Sequence, residues 1–109
     1  EPDVLSEDAN GEPSAAIRAR VQAAAELQLR RQGKLNQYLT TREIDQFCKP
    51  DKPGKAQLKE AMQKFQWSGR AYHRILRVAR TIADLAHAER IGEPHVREAV
   101  QYRRALRDR

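Results

Sequence analysis

The sequence predicts an all-α fold, a small bundle of about five helices over residues 14–109 behind a flexible acidic linker over residues 1–13. Three observations carry this. Helix-capping residues recur along the chain, apolar residues return every three or four positions, and no stretch alternates β-branched and polar residues as a strand would. The linker holds Glu1, Asp3, Glu7, Asp8 and Glu12 with no base, among Pro2, Gly11 and Pro13. It has too little apolar surface to offset the entropy of ordering it.

Ser14 is placed to cap a first helix that runs through Ile17, Val21, Ala24 and Ala25 toward Leu29 and stops near Gly33. A short extended connection over 34–38 follows. Thr40 and Glu43 occupy the two positions of a capping box, and Leu39 and Ile44 flank them as a hydrophobic staple, so a second helix begins here. It ends around Cys48, before Pro50.

Pro50-Asp51-Lys52-Pro53-Gly54 breaks the chain, and Asp51 caps a third helix with Leu58, Ala61, Met62 and Phe65 on one face. Trp67 anchors the joint that follows. Ser68 caps a fourth helix expected to reach about Glu89. Its apolar residues form two adjacent stripes, Ala71-Ile75-Val78-Ile82-Leu85 and Tyr72-Leu76-Ala79-Ala83-Ala86, the broad face of a helix central to a bundle. Arg70, Arg74 and Arg77 line another face. After Arg90-Ile91-Gly92, Pro94 opens a last helix through Val96, Ala99, Val100 and Leu106.

Charge is unevenly placed. Residues 14–109 carry all 21 Lys and Arg against ten acids. Such a body suits nucleic acid, nucleotide phosphates or an acidic protein surface, and equally a well-solvated helical exterior. No run is long and apolar enough for a membrane span, and no basic-then-apolar signal pattern opens the chain. Cys48 is the single cysteine, which excludes an intrachain disulfide and a cysteine-cluster zinc site and fits a reducing, cytoplasmic setting. The first residue is Glu rather than Met, as expected of a piece of a longer protein.

Catalytic constellations are missing. No phosphate loop of the G-x-x-x-x-G-K-[ST] type occurs. His73, His87 and His95 lack metal-ligand spacing, Cys48 reads as a packed thiol, and Asp84, Glu89 and Glu98 read as partners in surface ion pairs. The one sharp feature is Ser68-Gly69-Arg70. A helix start already offers free N–H groups and a positive dipole end to an anion, and Arg70 adds a planar fork suited to phosphate.

The run SGRAYHRILRVARTIADL from Ser68 to Leu85, followed by HVREAVQYR from His95 to Arg103, resembles the C-terminal domain of magnesium-chelatase-like AAA+ ATPases, in their ComM-like (YifB) group. The helix from Ser14, Lys34-Leu35-Asn36 and Thr41-Arg42-Glu43-Ile44 carry the same likeness. The resemblance implies the helical lid of an AAA+ motor that uses ATP and Mg2+, both bound mainly by a separate nucleotide-binding domain.

In that family the arginine of Ser-Gly-Arg is sensor 2, which touches the γ-phosphate. The role carries over to Arg70, with Ser68 and Gly69 supporting it, in cis or toward a neighbouring subunit. The implied partners are the protein's own upstream AAA+ domain and neighbouring subunits of a ring expected to be hexameric, with DNA as the processed substrate in a branch-migration helicase-like motor. His73 and His87 depart from the pattern, which favours Asp and a small residue there.

Two other functions stand beside this one. The first is a nucleic-acid-binding bundle using Arg70, Arg74 and Arg77, or Arg97, Arg103, Arg104, Arg107 and Arg109. The second is a partner-docking module. The chain by itself is expected not to catalyse.

Overall fold

A computed structural model describes residues 14–107. The acidic linker of residues 1–13 and Arg109 lie outside the described residues. The elements are α1 (Ser14–Gln32), a 3₁₀ turn (Asn36–Tyr38), α2 (Thr41–Phe47), α3 (Lys52–Phe65), α4 (Gly69–Leu85) and α5 (Glu93–Arg107). Among the described residues, extended pairing is limited to one parallel bridge between Pro50 and Ile91. No helix among them is long and apolar enough to cross a membrane.

The central position expected for the fourth helix is what the structure shows. α4 packs against α5, α1, α2 and the 3₁₀ turn, while α3 lies on α5. Ala71, Ile75, Leu76, Ala79 and Ala83 are its buried apolar residues. Ile75, Leu76, Ala79 and Ala83 meet Leu39 and Ile44, Leu58 and Ala61 of α3, and Val96, Ala99 and Val100 of α5 in one core. Small side chains at 71, 79 and 83 let neighbouring helices approach α4 closely.

The helix ends follow local chemistry. Thr40 Oγ1 accepts the Glu43 N–H at 3.2 Å, and Glu43 Oε1 accepts the Thr40 N–H at 2.9 Å, so the capping box is formed in full. Asp51 Oδ1 accepts the Gly54 N–H at 2.8 Å at the start of α3. Gly33 ends α1 at φ +77°, a conformation that glycine adopts without strain. Gln66 takes the left-handed position at the end of α3, φ 53°. The Asp51 N–H donates to the Ile91 carbonyl at 2.8 Å and ties the α2–α3 turn to the α4–α5 turn.

Several expectations are corrected. On α1 the inward residues are Ala24 and Gln28, while Val21 and Leu29 are about half exposed. The reason is that polar contacts near its C-terminal end, not its apolar stripe, set the rotation of α1. The connection after Gly33 contains a 3₁₀ turn at Asn36–Tyr38 rather than being extended throughout. α4 stops at Leu85, short of Glu89, because the chain turns left-handed at His87, φ 58°. α5 begins one residue before Pro94, at Glu93. Leu106 is exposed, since α5 runs past the end of its apolar neighbours.

Candidate functional site

The start of α4 is built by Ser68, whose Oγ accepts the Ala71 N–H at 3.4 Å while its carbonyl accepts the Tyr72 N–H at 3.1 Å. Ala71 and Ile75 are buried, and Ile75 joins the core. Gly69 faces open space, with no atom within 4 Å of where a Cβ would sit. The first turn contains no acid to complement the helix dipole. Arg70 is exposed and makes no hydrogen bond or ion pair with the described residues.

The other arginines proposed from sequence are placed differently. Arg74, one turn on, is exposed and borders a groove of about 270 Å³ between α4 and α5, together with Ile75, Val78, Tyr102, Arg103 and Leu106. Arg77 is half-buried and donates to the Leu39 carbonyl at 3.1 Å. Arg103 lies 5.2 Å above the Trp67 ring and Arg104 4.6 Å above the Phe65 ring, and those two rings stack at 4.9 Å. Arg97 is paired with Glu93 at 2.6 Å. The structure therefore brings Ser68, Gly69, Arg70 and Arg74 together along one helix start. Arg77, Arg103 and Arg104 are held in packing contacts.

At the other end of α4 is a polar cluster that the sequence reading missed. Asp84 is completely buried and is not the surface ion-pair partner expected. Its carboxylate accepts two bonds from Arg31 of α1, at 2.9 and 3.1 Å, one from Arg80 Nε at 3.1 Å and one from Asn36 Nδ2 at 3.1 Å. Asn36 also bonds Thr81, Gln32 and the side chain of Gln28. Arg80 continues to the carbonyls of Ala88 and Glu89, closing the turn after α4.

Burial lowers the pKa of the Arg80 guanidinium, and adjacent Asp84 opposes that shift. A bidentate Arg31–Asp84 pair with every lone pair answered is a specific lock between α1 and α4. The available signal was the i, i+4 spacing of Arg80 and Asp84 on the same face as Ala79 and Ala83.

Cys48 is fully buried, and burial pushes its thiol up to about 11, well away from a reactive thiolate. His95 Nδ1 accepts the Gly92 N–H at 2.8 Å, and His73 lies beside Asp45 at 3.0 Å. No cluster of three or more His, Cys, Asp or Glu that would hold a metal ion occurs among the described residues.

The family described as "Magnesium chelatase, subunit ChlI C-terminal" matches residues 11–103. The chain belongs to this family. Competence protein ComM of Haemophilus influenzae is 45% identical over 97 residues, covering 89% of this chain and 19% of that protein. The uncharacterized protein YifB of Escherichia coli is 45% identical over 93 residues, 85% of this chain and 18% of its own length. The YifB of Salmonella typhimurium matches at 45% over 103 residues, 94% of this chain and 20% of its own. This magnesium-chelatase C-terminal domain thus spans about a fifth of the length of the curated relatives it matches. The match covers α1 to most of α5, so both the start of α4 and the Asp84 cluster lie inside the family region.

Proposed function

We propose that this domain is the helical lid of a magnesium-chelatase-like AAA+ ATPase, and that Arg70 senses the terminal phosphate of ATP bound by another part of the protein or by a neighbouring subunit. The observation that carries the reading is the state of Arg70. It is a permanently charged fork, exposed and uncommitted, on the first turn of a capped helix whose other side is fixed in the core.

A phosphate oxygen suits this helix start, which offers a guanidinium and free N–H groups and has no acid in its own first turn. The Mg2+ and the rest of the nucleotide do not suit these residues, because the metal-ligating cluster and the phosphate loop are both missing from them. Those tasks belong to a nucleotide-binding domain outside this chain. Bound ATP supplies a spreading phosphate charge, and Arg70 answers it from a rigid α4 only when the lid is closed. Hydrolysis and lid position are thereby coupled. The reading extends to a cytoplasmic, DNA-processing motor that assembles as a ring of subunits, as the resemblance of the Ser68–Leu85 run implies.

In the full-length protein, Arg70→Ala is expected to reduce ATP turnover about ten- to hundredfold. The thermal midpoint of this domain should move by less than about 2 °C, because an exposed side chain contributes little to folding. Arg70→Lys should restore little, since an ammonium does not reproduce the fork. Unchanged turnover in a folded Arg70→Ala protein removes the assignment.

A nucleic-acid contact is favoured by one specific observation, the groove bordered by Arg74, Tyr102 and Arg103 with no acid in its lining. It predicts binding of single-stranded DNA by this chain that weakens steeply with salt. Arg74→Ala should flatten the slope of log affinity against log salt by about one phosphate contact. Anisotropy of labelled DNA measures both, and absence of binding at low salt rejects this second role.

A further inference from the structure

At the exposed side of the first turn of α4 the Ser68 cap is long at 3.4 Å, and no atom lies within 4 Å of where a Cβ would sit on Gly69. The His73 side chain reaches from this helix start to α2. His73 sets Nδ1 at 3.3 Å from the Gly69 carbonyl oxygen and Nε2 at 3.0 Å from Asp45 Oδ1 on α2. The imidazole stands edge-on to Tyr72, with ring centroids 5.3 Å apart.

Both partners are acceptors. A neutral imidazole carries a single N–H and satisfies only one of them, whereas an imidazolium donates to both. The charged groups around the pair come from three helices and the turn after α2. Asp45 faces the ring from α2, Lys49 of that turn and Lys55 of α3 border the cavity that Asp45 shares with Tyr72, and Arg70, Arg74 and Arg77 flank His73 along α4.

Resting on the sensor reading of Arg70, we propose that His73 is a positioning residue that braces the start of α4 against α2 in a proton-dependent way. With both nitrogens protonated, it clamps the Gly69 carbonyl to Asp45 and holds Arg70's turn in one place. Release of one proton to solvent frees one of the two ties and loosens the turn. The histidine is what makes the brace responsive to pH. An amide or carboxylate at position 73 would carry no such change between about pH 5 and 8.

Two readouts test this. The first is amide hydrogen exchange of Tyr72, His73 and Arg74 in the 109-residue chain, corrected for intrinsic rates, between about pH 5 and 8. Protection should fall about two- to fivefold as the pH rises, the scale of an exposed ion pair. His73→Gln keeps a neutral donor toward Asp45, so it should abolish the pH step while retaining intermediate protection. His73→Ala should be low throughout, and Asp45→Asn should shrink the step.

The second readout is ATP turnover of the full-length protein. There the ratio of wild type to His73→Gln should follow the same pH course. A pH step that persists in His73→Ala, or equal protection in wild type and His73→Ala, overturns the brace whatever Arg70 does. An exchange step without any matching change in turnover, in a protein that Arg70→Ala inactivates, overturns the positioning role alone. Full turnover in Arg70→Ala overturns the sensor reading, and with it the link to catalysis, while the exchange experiment still judges the brace.

Discussion

Arg70 and Arg80 lie on the same helix under opposite demands, one exposed with no bond to the described residues, the other buried and bonded to a carboxylate and two carbonyls. Arg80 is tolerated inside because Asp84 neutralises it and the carbonyls of Ala88 and Glu89 each accept from one of its terminal nitrogens. Asp84→Ala would leave two guanidiniums, Arg31 and Arg80, facing a void. Such a change is expected to destabilise the domain by about 3–5 kcal/mol, which urea denaturation followed by circular dichroism would measure. Little of this cluster was legible in the sequence. A carboxylate near a helix end reads as solvent-facing, and the partner that buries it, Arg31, lies 53 positions earlier in the chain. The capped helix start that carries Arg70 was legible because its chemistry is local, a cap, a glycine and a guanidinium in three consecutive residues.

Among the helices, termini were more legible than rotations. Thr40, Asp51, Ser68 and Gly33 each do at the helix end what their side chain or backbone dictates. Thr40→Ala should cost about 1 kcal/mol, read as a lower denaturation midpoint at constant slope. The pKa of Glu43 in the same box is held below its usual value, first by the Thr40 N–H and then by Lys34. A carboxylate depressed in the folded state adds stability above its unfolded pKa and loses it as pH falls through the lower folded value. Acid titration of wild type against Glu43→Gln should show that difference near and below the ordinary carboxylate range.

The faces of α1 and α5 were misjudged at Val21, Leu29 and Leu106 because periodicity shows which residues share a face but not how far a neighbour extends along it. Gly54 is an element-scale constraint that no periodicity announces. A Cβ there would meet Asp51 Oδ1 and the Ile91 carbonyl, both at 3.1 Å, and Pro50 Cβ at 3.2 Å. Gly54→Ala is therefore expected to destabilise by about 1 kcal/mol net, although alanine favours a helix.

For the molecule as a whole, the architecture was readable since one long, doubly striped helix needs neighbours on several sides, and α4 has them. The single thiol reports on the integrity of that arrangement. The folded pKa of Cys48 is raised to about 11 by burial, so its contribution is complete below the unfolded thiol range and is lost as pH rises through the folded value. Relative to Cys48→Ala, the wild type should lose about 2 kcal/mol of stability by about pH 10.5, as followed by denaturant titration.

The bond between Asp51 and Ile91 has a kinetic consequence. It joins turns 40 residues apart in the chain, so it closes after the helices it connects have met. Weakening it through Gly54→Ala should leave the refolding limb of a chevron plot nearly unchanged and steepen the escape from the native state, shortening the domain's lifetime more than it slows its assembly.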